Sequence, residues 1–157
     1  MLAPFFQSRV KLKENVSLYK ETLKNSGFAF ERPEIIAGYH SFLDETPALA
    51  RAKWENYYMR YLHFVNGLIN PEEYTSSDYR AWRRSAEAFS KVTFDQMYPD
   101  QVMCGDVAQC VERVALLQEH FGVTHFWVYM DLGGLPQREL RASMERFATK
   151  VIPQFRR

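Results

Sequence analysis

The sequence predicts an α/β fold, in which two buried parallel strands are joined and flanked by amphipathic helices. Three observations carry this. The runs Ile35–Leu43 and Thr124–Met130 are almost continuously apolar, the pattern of strands covered on both faces. Around them, apolar residues recur at intervals of three and four, the helical period. A helical crossover between two buried strands then implies right-handed βαβ packing and a parallel sheet. Two strands cannot make that sheet alone, because their faces and edges need partners. The chain reads as part of something larger.

In chain order, Glu14 to Ser26 is helical: Val16, Tyr19 and Leu23 share a face, and Gly27 stands where a C′ glycine belongs. Pro33 precedes the first strand, and Gly38 lies within it. Thr46 and Pro47 supply an N-cap and a first-turn proline. The helix they open carries the stripe Ala50, Trp54, Tyr57, Tyr58, Tyr61, Leu62 and Val65, and Gly67 ends it. The excursion 67–100 follows. It has a polar stretch at Asn70–Glu73 and a helix from about Ser77 with Tyr79, Trp82, Ala86 and Phe89 on one face, and Pro99 and Asp100 break it. Its length and polarity suit a movable lid. Asp106 caps the next helix, Gln109 completes a capping-box pattern, and Gly122 stops it. Val107, Cys110, Val111, Val114, Leu117 and Phe121 form its buried face. Asp131 ends the second strand, Gly133 and Gly134 turn the chain, and Pro136 opens a last helix. Leu140, Met144, Phe147 and Val151 point inward there, and Pro153 closes it. No repeat or linker interrupts this order, so residues 1–157 form a single partial domain.

Composition narrows the function. At 157 residues, 46% hydrophobic and 25% charged, the chain is globular and not a disordered tail. Twenty basic against 19 acidic side chains leave a formal charge of +1, which argues against a polyanion binder and predicts no nucleic-acid partner. No apolar run approaches the roughly 18–20 residues that cross a bilayer. The start, Met1-Leu2-Ala3-Pro4-Phe5-Phe6, lacks a basic n-region and a cleavage site. Cys104 and Cys110 make neither a disulfide framework nor a metal knuckle, so a buried thiol at Cys110 and a cytoplasmic location are expected. Twelve Phe, 9 Tyr and 3 Trp suit a large core or a flat-ligand pocket, and composition does not choose between them.

A resemblance does bear on the choice. Cys104-Gly105-Asp106, the helix to Gly122-Val123, the strand to Asp131, Gly133-Gly134-Leu135-Pro136 and the ending Phe147-Ala148-Thr149-Lys150-Val151-Ile152-Pro153 are similar to the C-terminal signature of the luciferase-like, flavin-dependent monooxygenases. Leu18-Tyr19-Lys20 with Gly27, and Phe42-Leu43-Asp44-Glu45-Thr46 followed by Ala48, Ala50 and Arg51, resemble earlier segments of that family. Asp44 stands where the family has a small residue, and Val107 where it has proline. The family fold is a (β/α)₈ barrel of about 250 residues, so the resemblance implies the C-terminal part of a TIM barrel, incomplete as a barrel. It also implies reduced FMN supplied by a partner flavin reductase, with O2 and a small organic substrate. A homo-oligomer or a complementary N-terminal barrel half would complete the fold. The alternative is a non-catalytic remnant that serves as an oligomerisation or binding subunit.

Ligands of such barrels lie at the C-terminal strand ends, here Leu43–Thr46 and Asp131–Gly134. Asp131, Gly133, Gly134 and Asp44 are therefore the cofactor-binding candidates, at the edge of a pocket. Two glycines let the backbone approach a flat ring, while Asp131 can equally cap the last helix or bond loop amides. No catalytic residue is identified. His40 and His125 sit inside strands, where a lone histidine is a core residue more often than a catalyst, and neither has ligands at metal spacing, so no metal is expected. Arg80, Arg83 and Arg84 surround Trp82 on the polar side of its helix and read as a solvated face. In this family the phosphate loops follow earlier strands, so the chain alone is expected to bind FMN weakly.

Overall fold

The computed structural model describes residues 1–3, 8–27, 33–68, 87–88, 90–98 and 100–155. The elements are β1 (Leu2–Ala3), α1 (Arg9–Asn25), β2 (Ile36–Leu43), α2 (Pro47–Gly67), α3 (Phe94–Met97), β3 (Val102–Gly105), α4 (Val107–Phe121), β4 (His125–Tyr129) and α5 (Gln137–Arg146). A π turn, Phe147–Val151, and a 3₁₀ turn, Ile152–Gln154, follow α5.

All four strands run parallel, and β2 is their centre, buried from Ala37 to Leu43. Ile36–His40 pair with His125–Tyr129 of β4. Leu2 and Ala3 pair with Ile36 and Ala37, and His40–Leu43 pair with Val102–Gly105. Because Ile36, Ala37 and His40 each have two partners, β4 must run along one edge of β2 while β1 and β3 share the other. Among the described residues the sheet is open and not closed into a barrel.

Two expectations about the strands change. The sheet has two further strands, β1 and β3, of two and four residues, too short to show a period. The second apolar run is also not covered on both faces. Among the described residues β4 pairs only with β2, and His125, Trp127 and Tyr129 are exposed along it. An aromatic run reads alike in the middle of a sheet and at its edge, since composition does not name neighbours.

Local chemistry sets most helix ends. α1 starts at Arg9 rather than Glu14 because the Ser8 hydroxyl accepts a hydrogen bond from Lys11 N at 3.3 Å. Thr46 caps α2 by accepting from Leu49 N at 3.2 Å. Asp106 caps α4 by accepting from Gln109 N at 2.9 Å, and Gly122 ends it at φ +68°. In α5 the inward position is Ser143, and Met144 is half exposed. The Ser143 hydroxyl accepts from Leu43 N at 2.8 Å, so a backbone donor at the end of β2, and not apolar spacing, sets that helix's rotation.

The centre of the sheet, β2, is covered on both faces. α2 lies against the face carrying His40 and Phe42: the Trp54 ring stacks on Phe42 at 6.3 Å, and Tyr58 meets His40 at 5.7 Å. On the other face Tyr39 lines a cavity of about 200 Å³ with Arg113, Leu116 and Leu117 of α4. Crossovers of one hand that step to opposite edges put their helices on opposite faces, as here. Both cysteines are buried, and burial pushes each thiol up to about 12. No helix among the described residues is long and apolar enough to cross a membrane.

Candidate functional site

At the C-terminal end of β2, Asp44 is 2% exposed and held by two cations. Its Oδ2 lies 2.7 Å from the Lys53 ammonium, and its Oδ1 lies 3.2 Å from the Arg146 guanidinium and accepts from Glu45 N at 2.8 Å. Burial alone would raise this carboxyl. The Lys53 and Glu45 hydrogen bonds, with the Lys53 and Arg146 charges, outweigh burial and hold it below its ordinary value. Lys53 also pairs with Glu139 at 2.8 Å, and Arg146 with Glu45 at 3.3 Å. Asp44 thus clamps α2 and α5 to the end of β2, with both oxygens engaged inside the chain. Asp44→Asn should lower stability by about 2 kcal/mol. That is less than the about 3–5 kcal/mol of an isolated buried pair, because Lys53 and Arg146 each keep a second carboxylate. A melting temperature lower by roughly 4–8 °C would register it.

The β4 end is built differently. Met130 and Leu135 are buried and anchor the loop between them. Asp131 is exposed, and its Oδ1 accepts from Gly133 N at 3.0 Å, so it bonds a loop amide. Gly133 and Gly134 hold φ of +79° and +80°, the left-handed region that glycine enters without strain. A β-carbon on Gly134 would come within 2.7 Å of Arg60 Nη2. The Arg60 guanidinium in turn lies over the Tyr57 ring, 5.1 Å from its centre. Lys53 and Arg60 are seven residues apart, about 10 Å along α2. The four candidate residues therefore fall into two groups along that helix, Asp44 in one and Asp131, Gly133 and Gly134 in the other.

An aromatic cluster gathers where β2 pairs with the C-terminal end of β4. The His40 ring, 2% exposed, lies 5.2 Å from Tyr61, 5.6 Å from Tyr129 and 5.7 Å from Tyr58. Tyr61 and Tyr129 are 6.4 Å apart. Burial lowers His40 to about 4, so at neutral pH it is uncharged. Burial raises Tyr58 and Tyr61 above the ordinary phenol value, so both keep their protons. The cluster offers flat apolar surface and neutral hydrogen-bonding groups, the means to orient a planar ligand rather than to attack one. His125 stands at the opposite, N-terminal end of β4, its Nδ1 2.9 Å from the Thr124 hydroxyl.

Arg60 carries no mark in the sequence, since a basic residue on an amphipathic helix reads as solvated surface. Its only signal is its place three residues after Tyr57. Arg80, Trp82, Arg83, Arg84 and most of the 67–100 excursion lie outside the described residues. Among the described residues, no group of three or more His, Cys, Asp or Glu side chains is placed to hold a metal ion.

Solved structures that share this architecture include two monooxygenases. The first is the monooxygenase RslO1 from Streptomyces bottropensis, 20% identical, with a TM-score of 0.66 over 99% of this chain and 41% of that one. The chain shares its fold with a monooxygenase. The second is a type II Baeyer–Villiger monooxygenase, the oxygenating constituent of 3,6-diketocamphane monooxygenase from the CAM plasmid of Pseudomonas putida, in complex with FMN. It is 15% identical, with a TM-score of 0.61 over 91% of this chain and 40% of that one. The chain spans about two fifths of the length of these structures, in keeping with a partial barrel. No family model matches the sequence, and no curated protein does.

Proposed function

We propose that the chain serves as the C-terminal portion of an FMN-dependent monooxygenase of the luciferase-like kind, acting with O2 on a small organic substrate. The observation that carries this is the strand-end cluster: Tyr129, the last residue of β4, lies 6.4 Å from Tyr61 of α2, the helix whose Arg60 and Tyr57 also approach Gly134. The fold shared with a monooxygenase that binds FMN supports it. Tyr61 and Tyr129 would line one side of an isoalloxazine ring, and the backbone at Gly133 and Gly134 would approach its edge, with Asp131 fixing that turn. Asp44 contributes by clamping α2, which carries Tyr61. Reduced FMN, supplied by a partner reductase, would bring the redox and oxygen chemistry. The chain's own residues supply shape and exclude water. An opposing wall and the loop amides that cradle a phosphate come from a complementary barrel half or a second copy.

Flavin titration followed by fluorescence quenching tests this, first with the chain alone and then with the chain co-expressed with the N-terminal half of a monooxygenase barrel. Weak binding alone and tight binding when completed is the expected result. Tight stoichiometric binding by the chain alone would mean that it holds the phosphate itself. Binding in neither form overturns the flavin reading in favour of a non-catalytic oligomerisation or binding subunit.

A further inference from the structure

Three arginines of the described residues stand near the C-terminal strand ends, and two are neutralised twice over. Arg51 pairs with Glu55 at 2.6 Å and Asp95 at 2.7 Å. Arg146 pairs with Asp44 and Glu45. Arg60 is different. Among the described residues it has no carboxylate partner, and its guanidinium lies over the Tyr57 ring. A cation–π contact with the Tyr57 ring draws the guanidinium to that side without using its N–H donors, which stay available for an oxyanion. The neighbouring loop makes room for it. Residue 134 is glycine at φ +80°, and any side chain there would meet Arg60 Nη2. An exposed cation with unused donors, between Tyr57 and Gly134 and next in sequence to Tyr61 of the Tyr61–Tyr129 pair, is one half of an ion pair.

We propose that Arg60, oriented by Tyr57 and admitted by Gly134, binds an oxyanion of the ligand that rests on the strand-end aromatics. The inference rests on the strand-end ligand site of the proposed function. Two sources share this chemistry, the phosphate of the flavin and a carboxylate of the substrate. An aromatic ring with an anionic substituent matches the juxtaposition of flat surface and guanidinium.

NMR titration of the full chain, which reads weak binding, separates the cases. The probes are FMN against riboflavin, and benzoate against benzyl alcohol. Each is run on the parent chain, Arg60→Gln and Arg60→Lys. Arg60 is exposed, so these variants should fold, with circular dichroism and a melting curve as the check. The expected result is that at least one anionic probe binds about tenfold tighter than its neutral counterpart, that Arg60→Gln abolishes the gap, and that Arg60→Lys keeps part of it. A gap confined to the flavin pair assigns the phosphate, and one confined to the benzoate pair assigns a substrate carboxylate. No gap in either pair, or a gap that survives Arg60→Gln, overturns the proposal. Flavins that bind without regard to Arg60, together with no Arg60-dependent benzoate gap, would leave the flavin reading intact while removing this one. An Arg60-dependent benzoate gap with no flavin binding, alone or in the completed barrel, would do the reverse.

Discussion

Trp54→Ala should cost about 3–5 kcal/mol, enough to unfold much of the population at 37 °C for a domain whose whole stability is about 5–15 kcal/mol. Trp54 is fully buried and joins three elements. Its indole stacks on Tyr58 at 4.7 Å, lies parallel to Phe42 of β2 at 6.3 Å and meets the edge of Phe94 of α3 at 6.2 Å. Truncation opens a cavity between sheet and helix that rigid neighbours cannot collapse into. Trp54→Phe should behave very differently. The indole N–H has no hydrogen-bond partner among the described residues, and an orphaned buried donor costs about 1–3 kcal/mol. Removing it offsets much of the lost apolar area, so the net change should stay under about 1 kcal/mol. Urea unfolding midpoints of the two variants check both statements. Equal midpoints would mean that the α2–β2 seam does not hold the fold.

A second large effect is acid lability well above the carboxylate range. His40 titrates near 6.5 when unfolded, and burial among the tyrosine rings lowers it to about 4 in the folded chain. Between those values the unfolded state binds the extra proton, so stability is full above about pH 6.5 and falls as the pH drops toward 4. At about 1.4 kcal/mol per pH unit the loss reaches about 3 kcal/mol. Asp44 acts in the same direction but lower. Its depressed value stabilises the fold above about pH 3.9, and that share is lost only on further acidification. Urea unfolding at pH 7.5, 6 and 4.5 separates them, and His40→Phe should flatten the upper part of the profile. A native chain equally stable at pH 7.5 and 4.5 would contradict the burial of His40.

What could be read in advance was what local chemistry decides. Thr46-Pro47 and Asp106 mark helix starts through hydrogen bonds to residues three positions away, and Gly122 marks an end through a backbone angle. β2 announced itself because both its faces are buried. What depends on distant partners was hidden. Val102–Gly105 is a strand because it pairs with His40–Leu43, and nothing within four residues says so. Ser143 points inward to serve Leu43 N, against the apolar pattern that favoured Met144. The site divides the same way. A carboxylate after an apolar strand reads as ligand-facing, and only the fold brings Lys53 and Arg146 to Asp44 from two different helices. Asp131, Gly133 and Gly134 were visible as a turn, whereas Arg60 became visible only when the turn lay against it.

The pairing of β2 also has a consequence for how the chain is made. Its register partners in β3 and β4 lie roughly 60 to 90 residues further along, which at a ribosomal rate of about 5–20 residues per second is a wait of several seconds. During that interval the longest and most central strand of the sheet has been synthesised with β1 but without β3 and β4, leaving most of its backbone unpaired, the state in which strands aggregate. α2 emerges directly after it and needs only local contacts, Trp54 on Phe42 and Tyr58 on His40, to shield one face. Weakening that seam should therefore reduce the soluble yield in cells by more than its effect on the finished protein's stability, with the surplus appearing as aggregates formed during translation.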